Sequence, residues 1–138
     1  MTDTNTYGKP LPALTEVNAE FWAGTRAGEL RLQRCVQCGT VRYPPGSHCP
    51  GCLSREHEWA SMSGLGRLWS WTVFWQQYFG AFKDDIPYVV ALVKLDEGPL
   101  LTTTVVGADP DELQCDQRVR VTFRPATEEM CLPVFEPA

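Results

Sequence analysis

The sequence lacks the features of a membrane, secreted or nucleic-acid-binding protein. No apolar run approaches the roughly 20 residues that a membrane-spanning helix needs, and the start of the chain has neither the charged nor the apolar region of a signal peptide. Basic residues are outnumbered, 12 Lys and Arg against 17 Asp and Glu, for a net charge of −5. Such an acidic chain is poorly suited to a phosphate backbone. We therefore predict a cytoplasmic protein that binds neither membranes nor nucleic acids.

Groups for acid–base or nucleophilic catalysis are also scarce. The chain has only two histidines, and His57 gives no sign of a nucleophile–base pair. His48 directly precedes a cysteine, where a histidine is more often a solvated neighbour of a metal site than a ligand. The adjacent acids at residues 84–85 and 96–97 fall in turns or loops, where carboxylates are usually solvated. We predict no catalytic residues and no activity for the chain alone.

Cysteines, by contrast, are placed with regular spacing. Cys35 and Cys38 form one Cys-x-x-Cys pair, Cys49 and Cys52 form a second, and ten residues separate the pairs. Each such turn can direct two thiolates to one point, and four thiolates are the ligand set of a closed structural zinc site. We predict one structural zinc per chain on these four residues. A rubredoxin-like iron site is the alternative, because sequence alone does not separate the two metals.

The remaining cysteines, Cys115 and Cys131, stand alone in the sequence. Neither has a second cysteine at the spacing of a metal-binding turn, so we predict free thiols without a metal role. Reduced cysteines beside a metal site agree with the predicted cytoplasmic location.

Three regions follow one another along the chain. Residues 1–29 are predicted to form a polar arm and a short amphipathic helix over 15–27, capped by Thr15 and ended by Gly28. Residues 30–60 would form a rubredoxin-like zinc ribbon, and residues 61–138 a barrel. The strand patterns of the barrel lie at 65–75, 88–95, 100–106, 118–123 and 130–135. The predicted fold class is therefore mainly β, with a helix, a zinc ribbon and a five-stranded OB-fold barrel.

Aromatic residues are concentrated at the end of the first barrel strand. Seven large rings lie between residues 69 and 82, more than a five-stranded barrel can bury from one strand and its loop. We expect about half of them to remain at the surface, where clustered aromatics mark a partner or ligand site. We favour a protein interface there, with a contribution to an apolar ligand channel. The predicted partner interface consists of Phe21, Trp22, Trp71, Trp75, Tyr78, Phe79 and Phe82.

Several short motifs, each weak alone, occur in a specific order. Together they resemble the DUF35 family, zinc-ribbon and OB-fold proteins associated with acyl-CoA enzymes, over about residues 15–137. The motifs are Phe21-Trp22-Ala23-Gly24, the segment 28–35, Tyr43-Pro44-Pro45, Cys49-Pro50-Gly51-Cys52, Gly64-Leu65-Gly66, Ser70-Trp71-Thr72-Val73, Pro87-Tyr88-Val89-Val90, Leu95-Asp96-Glu97-Gly98 and Leu132-Pro133-Val134-Phe135.

The resemblance implies an accessory role. Members of the family pair with thiolase-like enzymes, with hydratases, or with a steroid side-chain aldolase built on a thiolase fold, and the partner carries the catalytic residues. We expect a non-catalytic subunit that stabilises a thiolase-like aldolase or acyltransferase and helps shape its acyl-CoA channel. No hydratase domain is attached, so we expect a separate subunit, assembled with its partner as a heterotetramer.

A nucleic-acid-binding protein is the alternative function. Zinc ribbons and OB-folds both bind single strands, and exposed aromatic rings would stack on bases. The acidic charge opposes this alternative, because strand binding needs a basic groove.

Overall fold

The computed structural model describes residue 9, residues 11–76, residues 80 and 84, and residues 86–138. Most of the regular structure in these residues is β-strand, which confirms the predicted fold class. No helix among them has the length and hydrophobicity to cross a bilayer. The elements are α1 (Ala19–Arg26), β1 (Arg31–Cys35), β2 (Val41–Arg42), β3 (His57–Ser61), β4 (Leu65–Phe74), β5 (Tyr88–Leu95), β6 (Leu100–Thr103), β7 (Arg118–Thr127) and β8 (Met130–Pro137).

Helix α1 begins later than predicted, and its N-cap residue is Asn18, not Thr15. The backbone N–H of Thr15 donates to Asn18 Oδ1 at 2.8 Å, and the backbone N–H of Asn18 donates to Thr15 Oγ1 at 3.2 Å. This reciprocal exchange satisfies two amides ahead of the first helical turn, as a capping box does. Regular helix follows from Ala19. Gly28 ends it with a φ of +80°, as predicted.

The helix packs its two aromatic rings inside the chain. Phe21 and Trp22 are only 2% and 7% exposed, and their rings meet edge to face with centroids 4.8 Å apart. The Phe21 ring also packs against the ring of Tyr43, which follows β2, with centroids 5.7 Å apart. On the other side, Arg26 Nη1 donates to the carbonyl oxygen of Glu129, between β7 and β8. The helix therefore lies between the ribbon and the barrel and contacts both.

The ribbon is a three-stranded antiparallel sheet with the order β2-β1-β3. Strand β3 was not predicted. It pairs with β1 along one edge only, with Cys35 opposite His57 and Arg31 opposite Ser61. Its side chains are at most half-buried. A strand with little burial has no clear alternation of apolar and polar residues, so sequence pattern does not reveal it.

The second sheet has the order β6-β5-β4-β7-β8, with all neighbours antiparallel. A parallel bridge between Val105 and Phe135 closes it into a barrel. At this closure the N–H of Val106 donates to the carbonyl of Phe135 at 2.8 Å, and the N–H of Phe135 donates to the carbonyl of Thr104 at 3.0 Å. Five strands closed in this way confirm the predicted OB-fold. The limits 1–29, 30–60 and 61–138 stay predictions.

Two strand ends differ from prediction for identifiable reasons. Strand β7 continues beyond residue 123 although it contains Pro125, which cannot donate to the ladder. The proline is tolerated because the strand register shifts between Pro125 and Thr127. Strand β6 ends at Thr103 because the chain then turns to bridge Phe135. Along β5 the apolar run is not buried on both faces: alternate residues, from Val89 to Leu95, point into the core.

The close approach of β4 and β5 generates a stability prediction. A Cβ atom at Gly66 would lie 2.6 Å from the carbonyl oxygen of Lys94 and 2.9 Å from Val93 Cγ1. Because the first contact is backbone, we expect Gly66→Ala to lower the free energy of unfolding by about 2 kcal/mol, measured by urea denaturation. Gly46→Ala is the matched control, since its nearest atom is 4.0 Å away. Equal losses in both variants would contradict the packing described here.

Candidate metal centre and adjoining cavity

The four paired cysteines converge on one point at the end of the ribbon. Their sulfur atoms lie within 4.8 Å of one another. Cys35 Sγ is 3.5 Å from Cys52 Sγ, and Cys38 Sγ is 3.5 Å from Cys49 Sγ. A tetrahedral ion with metal–sulfur bonds of about 2.3 Å places its ligands about 3.8 Å apart. The arrangement therefore fits a four-coordinate metal ion. The other two cysteines, predicted to have no metal role, are not part of this cluster.

Hydrogen bonds favour the thiolate form at three of the four sulfurs, which is the form that binds a metal. The fourth differs: the backbone N–H of Ser54 lowers the pKa of Cys52, but the sulfur of Cys35, burial and the other two sulfurs raise it to about 12. The cluster thus holds its last proton tightly unless a cation replaces it. The lowered pKa values, each with its main cause, are those of Cys35 beside the backbone N–H of Cys38, Cys38 beside the Thr40 hydroxyl, and Cys49 beside the backbone N–H of Cys52.

The two cysteine turns repeat the same backbone geometry with different residues. The N–H of Gly39 donates to the carbonyl of Cys35 at 2.9 Å, and the N–H of Leu53 donates to the carbonyl of Cys49 at 2.9 Å. Gly39 has a φ of +78° and Leu53 a φ of +66°. This left-handed conformation suits glycine and strains a leucine. Leu53 is also 74% exposed, so packing does not offset the strain.

A buried polar network supports the loop that leads to the second cysteine pair. Gln33 is 1% exposed, and its Oε1 accepts from Arg42 Nε at 2.8 Å and from the N–H of Gly46 at 2.9 Å. Arg42 Nη2 also donates to the carbonyl of Gly46 at 3.1 Å. Sequence reasoning missed this network, because Gln33 lies nine residues from Arg42 and thirteen from Gly46, a spacing that carries no local pattern. His48 is held by Ser47 and Arg55 and lies outside the sulfur cluster.

A cavity of about 700 Å³ lies where the helix, the ribbon and the barrel meet. Its walls are mostly apolar or threonine side chains, contributed by α1, the segment after β2, the start of β5, β6 with its closure, and β8. Among the described lining residues there is no His, Cys, Asp or Glu. Burial raises the pKa of the lining residue Tyr43. The wall therefore offers space for an apolar molecule, and its ionisable side chains are those of Lys9, Tyr43 and Arg124.

The predicted interface residues fall into different environments. Phe21 and Trp22 are buried in the chain's own core, which leaves little of either ring for a partner. Trp71 is half-buried and packs against the same core, whereas Trp75 is 68% exposed. Described residues of the 69–82 stretch do not line the cavity, and their predicted contribution to a ligand channel stays a prediction. Tyr78, Phe79 and Phe82 lie outside the described residues.

Sequence models of two domain families match the chain. One is "ChsH2, rubredoxin-like zinc ribbon domain", over residues 22–58, and the other is "ChsH2, C-terminal OB-fold domain", over residues 59–124. Among solved structures, a chain of the "Ltp2-ChsH2(DUF35) aldolase" superposes with a TM-score of 0.83 at 38% identity. The superposition covers 92% of this chain and 98% of that chain.

Several curated relatives are named as subunits of acyl-CoA enzymes. The "Probable enoyl-CoA hydratase alpha subunit" of Thermomonospora curvata is 38% identical over 94% of this chain, which spans only 40% of that relative's length. The "Benzoylsuccinyl-CoA thiolase subunit BbsA" of Thauera aromatica is 32% identical over 72% of this chain and 67% of its own.

The unequal cysteine turns generate a paired prediction. Leu53→Gly should raise the free energy of unfolding by up to about 1 kcal/mol, because glycine adopts the left-handed conformation without strain. Gly39→Ala should lower it by about 1 kcal/mol, since its added Cβ meets no atom within 4 Å and only the backbone is strained. Thermal unfolding of both variants checks the pair. A loss of stability in Leu53→Gly would show that the exposed leucine makes stabilising contacts.

Proposed function

The chain belongs to the ChsH2, or DUF35, family of proteins that join a zinc ribbon to an OB-fold, and we propose that it is the accessory subunit of a thiolase-like enzyme acting on acyl-CoA. The observation that carries this proposal is the superposition on nearly the whole length of the ChsH2(DUF35) chain of an aldolase. In such a complex the catalytic residues would belong to the other subunit.

The chemistry of the cavity supports a non-catalytic role. Its described lining has no His, Cys or carboxylate, which supports a partner that carries the groups that form or break a carbon–carbon or thioester bond. The naming of a relative as a thiolase subunit supports a thiolase-like partner. An aldolase for steroid side-chain CoA thioesters and an acyltransferase are both consistent with such a partner.

We assign the cavity to the acyl-CoA channel that the two subunits share. Its volume of about 700 Å³ and its apolar wall suit an acyl chain or a pantetheine arm. Arg124, an exposed residue of the lining, forms no ion pair with any described residue and offers a positive charge to phosphates at the rim.

We assign the four clustered cysteines to one zinc ion with a structural role. The convergent sulfurs and the match to a zinc ribbon domain support this assignment. All four ligands would come from the chain, so the ion would hold the two cysteine turns together and leave no position for substrate.

The zinc assignment predicts a metal content. Purified protein should hold one zinc per chain by elemental analysis, and Cys49→Ser should lose both the zinc and the ribbon's structure, because the thiolates repel one another without a cation. Cys115→Ser is the matched control, since this exposed thiol lies outside the cluster, and it should keep full zinc. Iron in place of zinc, or zinc retained by Cys49→Ser, would contradict the assignment.

The accessory role predicts a complex. Co-expression with the thiolase-like protein encoded nearest to this chain's gene should yield a heterotetramer by size-exclusion chromatography with light scattering, and the activity should need both chains. We place the exposed ring of Trp75 in the contact, so Trp75→Ala should weaken association by about 30-fold, as loss of a central aromatic does.

Trp69→Ala is the matched control for this interface, because Trp69 is also exposed, at 47%, but packs against Lys94 on the barrel. Weakening by the control instead of by Trp75→Ala would move the interface to the Trp69 face. Turnover of acyl-CoA by the isolated chain would overturn the accessory role itself.

A further inference from the structure

We infer that the outer surface of the barrel binds an acidic segment of a second protein, whose carboxylates pair with Arg67 and whose apolar side chains cover Trp69. The inference goes beyond the proposed function, because this protein is not the thiolase-like subunit. We name the surface the barrel face, and it consists of Leu65, Arg67, Trp69, Lys94, Leu100 and Arg118.

The strand register places three cations side by side across the barrel face. Arg67 of β4 lies opposite Arg118 of β7 on one side and opposite Lys94 of β5 on the other. All three residues are exposed. The Cβ atoms of directly opposed residues are about 5 Å apart, and like charges in this position destabilise a sheet. An anion lying over the row would remove that repulsion.

The chain neutralises this row only in part. Arg118 donates to both carboxylate oxygens of Asp96, at 2.8 Å and 3.0 Å. The side chain of Arg67 forms no hydrogen bond or ion pair with any described residue, although its charge adds to the larger effect of Arg118 in lowering the pKa of Asp96. Lys94 Nζ lies over Trp69, 4.8 Å from the ring centroid. The guanidinium at the centre of the row is therefore open to a bidentate contact with a carboxylate.

The large apolar side chains of the barrel face lie beside its cations. Leu65 and Trp69 flank Arg67 on the outward face of β4, and Leu100 lies opposite Lys94. Leu65, Trp69 and Leu100 are 37%, 47% and 42% exposed. Single exposed apolar side chains are ordinary, but three in one patch with arginines indicate a protein interface.

Charge complementarity identifies the class of protein that fits the barrel face. A carboxylate-bearing segment would neutralise the row, and its apolar side chains would cover the leucines and the tryptophan. A nucleic acid also supplies negative charge, but its phosphate backbone has no apolar group to cover Leu65 and Leu100. The net charge of the chain is −5, which opposes a long polyanion more than a short acidic segment. The barrel face therefore favours an acidic protein segment that also carries apolar residues.

The barrel face is separate from the cavity that we assign to the channel shared with the thiolase-like subunit. None of its six residues lines the cavity. Along β5 the cavity lining ends at Val90, and Lys94 lies four residues further on, a distance of about 13 Å in a strand. A thiolase-like subunit that closes the cavity can therefore leave this face open to another protein.

Arg67→Glu tests the contact, with a fluorescein-labelled peptide of alternating glutamate and leucine as the probe. Fluorescence anisotropy with the full chain should show binding to the wild type and about tenfold weaker binding to the variant, because the new carboxylate repels those of the peptide. The midpoint of thermal unfolding should stay the same or rise, because a glutamate between Lys94 and Arg118 replaces two like-charge pairs by opposite-charge pairs. An arginine with a purely structural role predicts the reverse, a lower midpoint and unchanged peptide binding, and that result would overturn the inference.

Arg55→Glu is the matched control, because it makes the same change in net charge at an exposed position of the ribbon. It should leave the affinity for the peptide unchanged, and equal weakening by both variants would overturn the inference. A peptide of alternating glutamate and serine tests the apolar part of the contact and should bind more weakly than the leucine peptide. Trp69→Ala should reduce this difference. Equal affinity of the wild type for the two peptides would overturn the assignment to an apolar acidic segment.

Two further outcomes would reassign the barrel face. Single-stranded oligothymidine that binds more tightly than the leucine peptide would make it a nucleic-acid surface, and loss of the heterotetramer in Arg67→Glu would make it part of the thiolase-like subunit's interface. Either result, or no binding of the leucine peptide by the wild type, would overturn the inference. Peptide binding is measured on the chain alone, so the barrel face is judged independently of whether the heterotetramer forms.

Discussion

The burial of helix α1 between the ribbon and the barrel is the contact on which the rest of the structure depends. Phe21 meets Tyr43 at the ribbon, and Arg26 reaches the carbonyl of Glu129 at the barrel. Neither module alone offers an apolar surface that could cover both rings of the Phe21–Trp22 pair. The cavity exists because the helix holds the two modules together at this point, and its wall therefore contains residues from all three parts of the chain.

Local features of the fold could be predicted from sequence. Two identical cysteine spacings place four thiolates together whatever the rest of the chain does, and the alternation in β7 puts Val119 inside the barrel through the geometry of a strand. The order of the short motifs predicted the OB-fold and the family. Features that depend on distant partners escaped prediction: β3 shows no periodicity, and Gln33 forms its buried network with Arg42 of β2 and with Gly46 beyond that strand. The burial of Trp22 likewise depends on surfaces far away in sequence.

The aromatic content of the chain shows why a surface role is hard to read from composition. The same residue type fills the core at Trp22, packs half-buried at Trp71 and stands in solvent at Trp75. Trp69 lies on the outward face of β4 with Leu65 and Arg67, and Lys94 covers its ring at 4.8 Å. The register shift between Leu68 and Ser70 reverses the alternation after Trp69, so that Trp71 packs against the core. Ring count alone predicted an excess at the surface, but strand registry and the β-bulge decide which rings form that excess.

The bridge between Val105 and Phe135 also bears on how the chain behaves before it meets another protein. A five-stranded sheet left open would present β6 and β8 as free edges, on which further chains add and aggregate. The parallel closure pairs part of both edges. In the ribbon, the outer strand β2 is only two residues long, and the other outer strand, β3, carries Glu58 in an ion pair with Arg34. Because its sheet edges are short, closed or charged, the chain can be synthesised ahead of its partner without aggregating through these edges.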